Sequence, residues 1–127
     1  VLARDCGRCR YCGLSQTGQA AIFHIDHIVP RSRGGDTSVA NLALQCPHCS
    51  LRKADKTSAI DPETGRITIL FHPLQQSWAD HFMIGPDGTC KGLTDVGRAT
   101  AVALGMNDPL PTLARQIQVR LGLTVNG

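Results

Sequence analysis

The sequence predicts an α+β fold: a small strand, loop, strand and helix unit stapled by a metal, followed by a strand and a helical extension. Three observations carry this. Two C-x-x-C pairs, Cys9-Arg-Tyr-Cys12 and Cys46-Pro-His-Cys49, bracket a histidine-containing apolar segment. That segment is β-branched and ends at Pro30, where a strand loses a ladder donor. Beyond residue 56 the basic and cysteine-rich character gives way to apolar stretches separated by turns.

The elements follow in chain order. Residues 4–14, with turn points at Gly7 and Gly13, suit a zinc knuckle and no long helix. Ala20 to Val29 is read as the first strand, and Arg31-Ser-Arg-Gly-Gly-Asp-Thr-Ser38 as a polar loop turned by Gly34-Gly35. Asn41 to Gln45 is the second strand, and Pro47 opens a helix to about Lys56, since proline is tolerated in a first turn. Asp61-Pro-Glu-Thr-Gly65 is a turn before a strand over Arg66–Phe71. Trp78, Phe82 and Ile84 are expected in a satellite cluster, with a hairpin-like turn at Pro86-Asp-Gly88. Thr94 or Asp95 caps a helix through Leu104, and Asp108-Pro109 starts another. In that last helix Leu110, Leu113, Ala114, Ile117 and Leu121 form one apolar stripe, expected to pack on the domain. The expected division is a zinc-stapled core over 1–56 and an extension over 57–127 packed on it.

The 127 residues suit one compact domain rather than two. Aromatic residues make up only 4%, so a bound metal would supply stability that large rings do not. The apolar runs are far too short for a membrane span, and no leader-like segment opens the chain. The first residue is Val1 rather than Met, which leaves room for a preceding domain. C-x-x-C spacing suits chelation better than bridging, so the compartment is taken as reducing and cytoplasmic. The net charge of +3 is unevenly spread: residues 1–56 hold eight basic and four acidic side chains, the remainder five and six. The positive end carries the motifs, as expected of a surface that meets phosphates.

A C-x-x-C turn aims two thiolates at one ion, and two such turns complete a tetrahedral shell. Cys9, Cys12, Cys46 and Cys49 are the favoured zinc ligands. Cys6 also fits the spacing with Cys9 but is set aside, and Cys90 is taken as an ordinary semi-buried thiol. A shell of four cysteines has no place for a reactive water, so this zinc is structural and any chemistry belongs to the enclosed segment.

Ile25-Asp26-His27-Ile28-Val29-Pro30, Gly34-Gly35, Asn41-Leu42, Cys46-x-x-Cys49 and Lys53 together resemble the HNH endonucleases, which use a ββα-metal (His-Me finger) fold. Phe71-His72-Pro73, Trp78-x-x-His81-Phe82 and Gly92-Leu93-Thr94 look like a bacterial branch of that family. The resemblance implies hydrolysis of DNA phosphodiester bonds, with His27 as general base and Asp26 binding a catalytic divalent cation, Mg2+ or another. It also implies that Asn41 holds the His27 ring. Where the family commonly places His or Asn as a further cation ligand, this chain has Ser50, a feasible but weak donor. His48 is considered as a substitute but is expected to face outward; strand alternation puts His24 on the face of Asp26, where it could reach substrate or the cation or make a structural hydrogen bond, and His72 and His81 are more distant candidates.

Regular strand alternation would put Asp26 and His27 on opposite faces, so a twist or bulge before Pro30 is needed for both to reach one cleft. Arg31, Arg33, Arg52 and Lys53, with Lys56, are candidate phosphate contacts that would position a duplex without reading its sequence. A small single-site domain would nick one strand at a time, so double-strand breaks would need a dimer or a larger complex. Two other roles fit the same residues: a zinc-containing nucleic-acid-binding module weakened in catalysis at Ser50, and the cleavage domain of a larger targeted effector.

Overall fold

Two strands and a helix form the centre of the structure, a computed structural model that describes residues 1–123. Strand β1 (His24–His27) pairs antiparallel with β2 (Leu42–Gln45), in the register His24 to Gln45 and His27 to Leu42. Helix α2 (Pro47–Lys53) follows one residue after β2. A four-residue helix, α1 (Leu2–Asp5), precedes the first cysteine turn. The architecture is α+β, the described residues forming three two-stranded antiparallel sheets among short helices.

β1 is much shorter than the expected Ala20–Val29. Its partner has only four residues, because Cys46 turns out of the ladder to begin the second cysteine pair. Upstream of β1, the Gln16 side chain takes the place of a strand: its Oε1 accepts from Phe23 N at 2.7 Å and its Nε2 donates to Ala21 O at 2.9 Å. α2 also stops early, at Lys53, where Ala54 takes a positive φ of 47° and breaks the helical path.

The second part of the chain adds β3 (Ser58–Ile60) paired with β4 (Ile67–Ile69), α3 (Trp78–His81), β5 (Phe82–Ile84) paired with β6 (Cys90–Gly92), α4 (Asp95–Ala103) and α5 (Pro109–Arg120). Thr94 caps α4 by accepting from Gly97 N at 3.1 Å. Glycine at position 97 is a packing requirement, since a Cβ there would lie 2.1 Å from His81 O. The expected division includes residues 124–127, which lie outside the described residues.

The hydrophobic cluster draws on both halves of the chain. It joins the four motif cysteines, Tyr11, Phe23 and Leu44 to Phe71, Phe82, Leu104 and Met106. Trp78 and Phe82, expected in a satellite cluster with Ile84, therefore join the main core: the Phe71 ring meets Phe82 edge-on at 5.2 Å between centroids, and Trp78 Nε1 donates to Tyr11 O at 2.8 Å.

α5 reverses the expected packing. Leu110, Leu113, Ile117 and Leu121 are exposed, while Pro111, Arg115 and Gln118 are buried. The reason is the loop backbone beneath the helix, whose carbonyls and amides have no ladder partners and require polar side chains. Arg115 Nε donates to Gly88 O at 2.8 Å, and its Nη2 reaches Met106 O. Gln118 accepts from Ser15 N at 2.8 Å and donates to Ser15 O at 2.9 Å.

Asp61 is a further buried polar anchor, receiving both Nε and Nη2 of Arg98 at 2.9 Å and the Thr64 hydroxyl at 2.9 Å. The Arg98 hydrogen bonds hold its carboxyl well below the usual carboxylate range. A depressed folded-state pKa contributes stability above the unfolded value and loses it as pH falls toward the folded one. Asp61→Asn is therefore expected to lower the melting temperature at neutral pH, and the gap from wild type should shrink as the pH drops below about 4. Thermal melts from pH 7 to pH 3 check both the sign and the trend.

Candidate active site

The cysteine cage and the strand pair are one construction. In each pair the second cysteine's amide lies against the first cysteine's sulfur, Cys12 N to Cys9 Sγ at 3.5 Å and Cys49 N to Cys46 Sγ at 3.4 Å. The four sulfurs lie within 4.8 Å of one another, all buried, with Cys12 and Cys46 Sγ at 3.8 Å. Four sulfurs about 2.3 Å from a zinc ion stand about 3.8 Å apart, so the donor set and spacing fit structural zinc. Hydrogen bonds from Cys46, Cys49 and Cys9 pull the Cys12 thiol well below its ordinary range, whereas the bond to Cys12 pushes Cys46 and Cys49 up. A dication stabilises all four sulfurs as thiolates.

Cys6 is exposed and outside the group, in agreement with its exclusion. Cys90 is more buried than expected, and burial raises its thiol to about 12. None of the six cysteines forms a disulfide.

The knuckle is tied to β2 by Asp5. Its carboxylate accepts from Leu44 N at 2.8 Å and pairs with Arg4 at 2.7 Å and Arg10 at 2.8 Å. Burial raises the Asp5 pKa, but the Arg4 hydrogen bond, the Leu44 amide and Arg10 outweigh it and hold the carboxyl below its usual range.

Asp26 and His27 close the end of β1. Asp26 Oδ1 accepts from its neighbour's amide, His27 N, at 2.8 Å, which swings the carboxylate toward the ring. His27 Nδ1 consequently stands 3.6 Å from Asp26 Oδ1, with side-chain exposures of 23% for His27 and 46% for Asp26. Both groups border one solvent-accessible place without a bulge. The other ring nitrogen, Nε2, lies 2.9 Å from Thr37 Oγ1.

Thr37 thus occupies the part expected of Asn41. The Asn41 side chain accepts from Val29 N at 2.9 Å and donates to Val29 O at 3.0 Å and Asp36 O at 2.8 Å, with no hydrogen bond to His27. The expectation that Asn41 holds the ring is corrected: it pins both ends of the loop that carries Thr37. Gly35 completes this closure, because a Cβ there would sit 1.8 Å from Val29 O. A lone hydroxyl in a polar loop has no distinguishing pattern, so Thr37 could not be singled out from sequence.

Ser50 is buried on α2 and donates to Asp26 Oδ2 at 3.0 Å. Its Oγ also lies 3.1 Å from His24 Nδ1, which places exposed His24 on the same strand face as Asp26. His48 is taken up elsewhere, with Nε2 at 2.9 Å from Gly105 O and 3.0 Å from Asp108 Oδ2. His72 accepts from Leu74 N and Gln75 N, both at 3.2 Å, and burial lowers its pKa. His81 Nδ1 meets Thr94 Oγ1 at 2.6 Å.

Among the basic candidates, Arg31 and Arg33 are exposed beside the loop, Arg33 donating to Asp55 O at 2.9 Å. Arg52 is exposed but paired to Asp108 at 2.8 Å. Lys53 departs from expectation: it is 3% exposed, with Nζ donating to His27 O at 3.3 Å, so it braces α2 against β1 instead of meeting a surface phosphate. Burial lowers its pKa, against opposing pulls from Asp26 and Asp55. Among the described residues no helix is long and apolar enough to cross a membrane.

Metal analysis of the purified protein should find one zinc per chain. Cys12→Ala should abolish that zinc and the cooperative melt, while Cys6→Ser should retain both.

No curated protein and no solved structure matches the chain. The family model described as HNH endonuclease matches residues 9–56, from the first cage cysteine to just beyond α2. That stretch, where the cage, the strand pair and the Asp26–His27 site are built, is similar to the HNH endonucleases.

Proposed function

We propose that the protein is a metal-dependent endonuclease that hydrolyses DNA phosphodiester bonds, with His27 as general base and Asp26 as ligand of a divalent cation. The observation that carries this reading is the pairing of His27 Nδ1 with Asp26 Oδ1 at 3.6 Å while Nε2 is engaged by Thr37. If Thr37 accepts the Nε2 proton, the lone pair of Nδ1 faces the same place as the Asp26 carboxylate. A water there can lose its proton to Nδ1, and the resulting hydroxide attacks phosphorus as the bond to the 3′ oxygen breaks; that oxygen leaves with a proton from solvent. A bound divalent cation would supply charge stabilisation to the phosphate and the departing oxygen.

Arg31 and Arg33 flank the loop beside His27 and would hold the backbone near it by phosphate contacts. Lys53 acts differently, keeping the end of β1 fixed through His27 O. Asn41 acts as a positioning residue through Val29 and the loop, so its effect on the base is indirect.

Supercoiled plasmid incubated with Mg2+ or Mn2+ tests the reading. His27→Ala is expected to lower the nicking rate about 10²–10⁴-fold. Thr37→Val, which removes only the ring's partner, should lower it about 10–100-fold. Equal nicking by wild type and His27→Ala, or none by either across a series of divalent cations, would reject the nuclease reading; retained DNA binding without cleavage would then favour a binding module.

A further inference from the structure

From these contacts we infer that His24 is a ligand of the cation site, and that it provides the strong donor which position 50 lacks. The inference rests on the reading of Asp26 as a cation ligand. Asp26 and His24 are two residues apart on β1 and so share one face of the strand, and Ser50 Oγ reaches up from α2 between them. His24 Nδ1 to Ser50 Oγ is 3.1 Å, and Ser50 Oγ to Asp26 Oδ2 is 3.0 Å.

Those two spacings have a second meaning. Donors about 2.1–2.2 Å from an octahedral cation stand about 3.0–3.1 Å apart along each edge. The nitrogen, hydroxyl and carboxylate oxygen are therefore separated as successive ligands of one cation would be. With no cation, the carboxylate can only accept, so Ser50 donates its hydroxyl proton to Asp26 and accepts from His24 Nδ1–H. With a cation, the serine hydroxyl keeps its proton and rotates, and His24 carries its proton on Nε2, offering the Nδ1 lone pair. No net proton is lost. The ring is exposed, so solvent can carry that tautomer change.

A nitrogen ligand also bears on which ion binds. Imidazole suits borderline transition-metal dications better than Mg2+, whose preferred donors are carboxylates, carbonyls and water. The geometry thus selects for ions such as Mn2+ or Ni2+ more strongly than an all-oxygen site would.

Mn2+ is the appropriate probe on the zinc-loaded protein, read by titration calorimetry and by nitrogen coupling to the bound ion in pulsed electron paramagnetic resonance. The wild type should show a directly coordinated nitrogen. His24→Ala should lose that coupling and bind Mn2+ about 10–100-fold more weakly. His27→Ala should keep the coupling. Adding Ser50→Asn to His24→Ala should recover affinity through an oxygen donor without restoring the coupling. Unchanged zinc content in each variant shows that the cage is intact. Wild-type coupling and affinity in His24→Ala overturn the inference, and if Asp26→Ala loses Mn2+ at the same time, the nuclease reading survives. Should Asp26→Ala bind Mn2+ as wild type does, the cation assignment itself falls, and the role of His24 with it.

Discussion

Four buried sulfurs meeting at one point are the constraint on which the rest of the structure depends. Cys9 and Cys12 stand before β1, and Cys46 and Cys49 lie at the junction of β2 and α2, so closing the group fixes the start and end of the enclosed segment together. β1 and β2 have four residues each, too few to be stable as an isolated hairpin. The cage supplies that stability, and the cluster of Tyr11, Phe71 and Phe82 packs around the sulfurs instead of forming a separate core. Asp5 adds a polar tie between the knuckle and β2 at Leu44, where a carboxylate stands in for a strand partner.

The candidate site inherits its precision from these ties. Asp26 and His27 converge through a local contact, the carboxylate accepting the next residue's amide, so the strand needs no bulge. Lys53 locks the carbonyl of His27 from the helix side, and Asn41 locks Val29 from the loop side. Each element is short, yet His27 is held from three directions: β2, α2 and the loop bearing Thr37. These ties fix the place of the ring beside the Asp26 carboxylate.

The later part of the chain shows how polar side chains can dominate packing. α5 turns Arg115 and Gln118 inward because the loops beneath it present bare backbone groups, and its leucines are left facing solvent. An amphipathic stripe reports which residues are apolar; it does not report whether the surface opposite is apolar too. Arg52 by an ion pair and His48 by a hydrogen-bond contact both meet Asp108, joining α2 to the start of α5.

The sequence by itself determined the cage, because two matched C-x-x-C turns carry the metal geometry in their spacing, and it determined the order of strand, loop, strand and helix through Pro30, Gly34-Gly35 and Pro47. It also placed Asp26 and His27 at the end of a strand and His24 on the Asp26 face, since alternation along β1 is a local property. Only the tertiary structure decided the partners. Thr37 rather than Asn41 meets the His27 ring, Lys53 is buried, and Ser50 bridges His24 to Asp26. These are contacts between segments distant in the chain, set by how the loop folds back and how α2 lies across β1. No periodicity or residue type encodes such distances, which are fixed once the sulfurs have drawn the segments together.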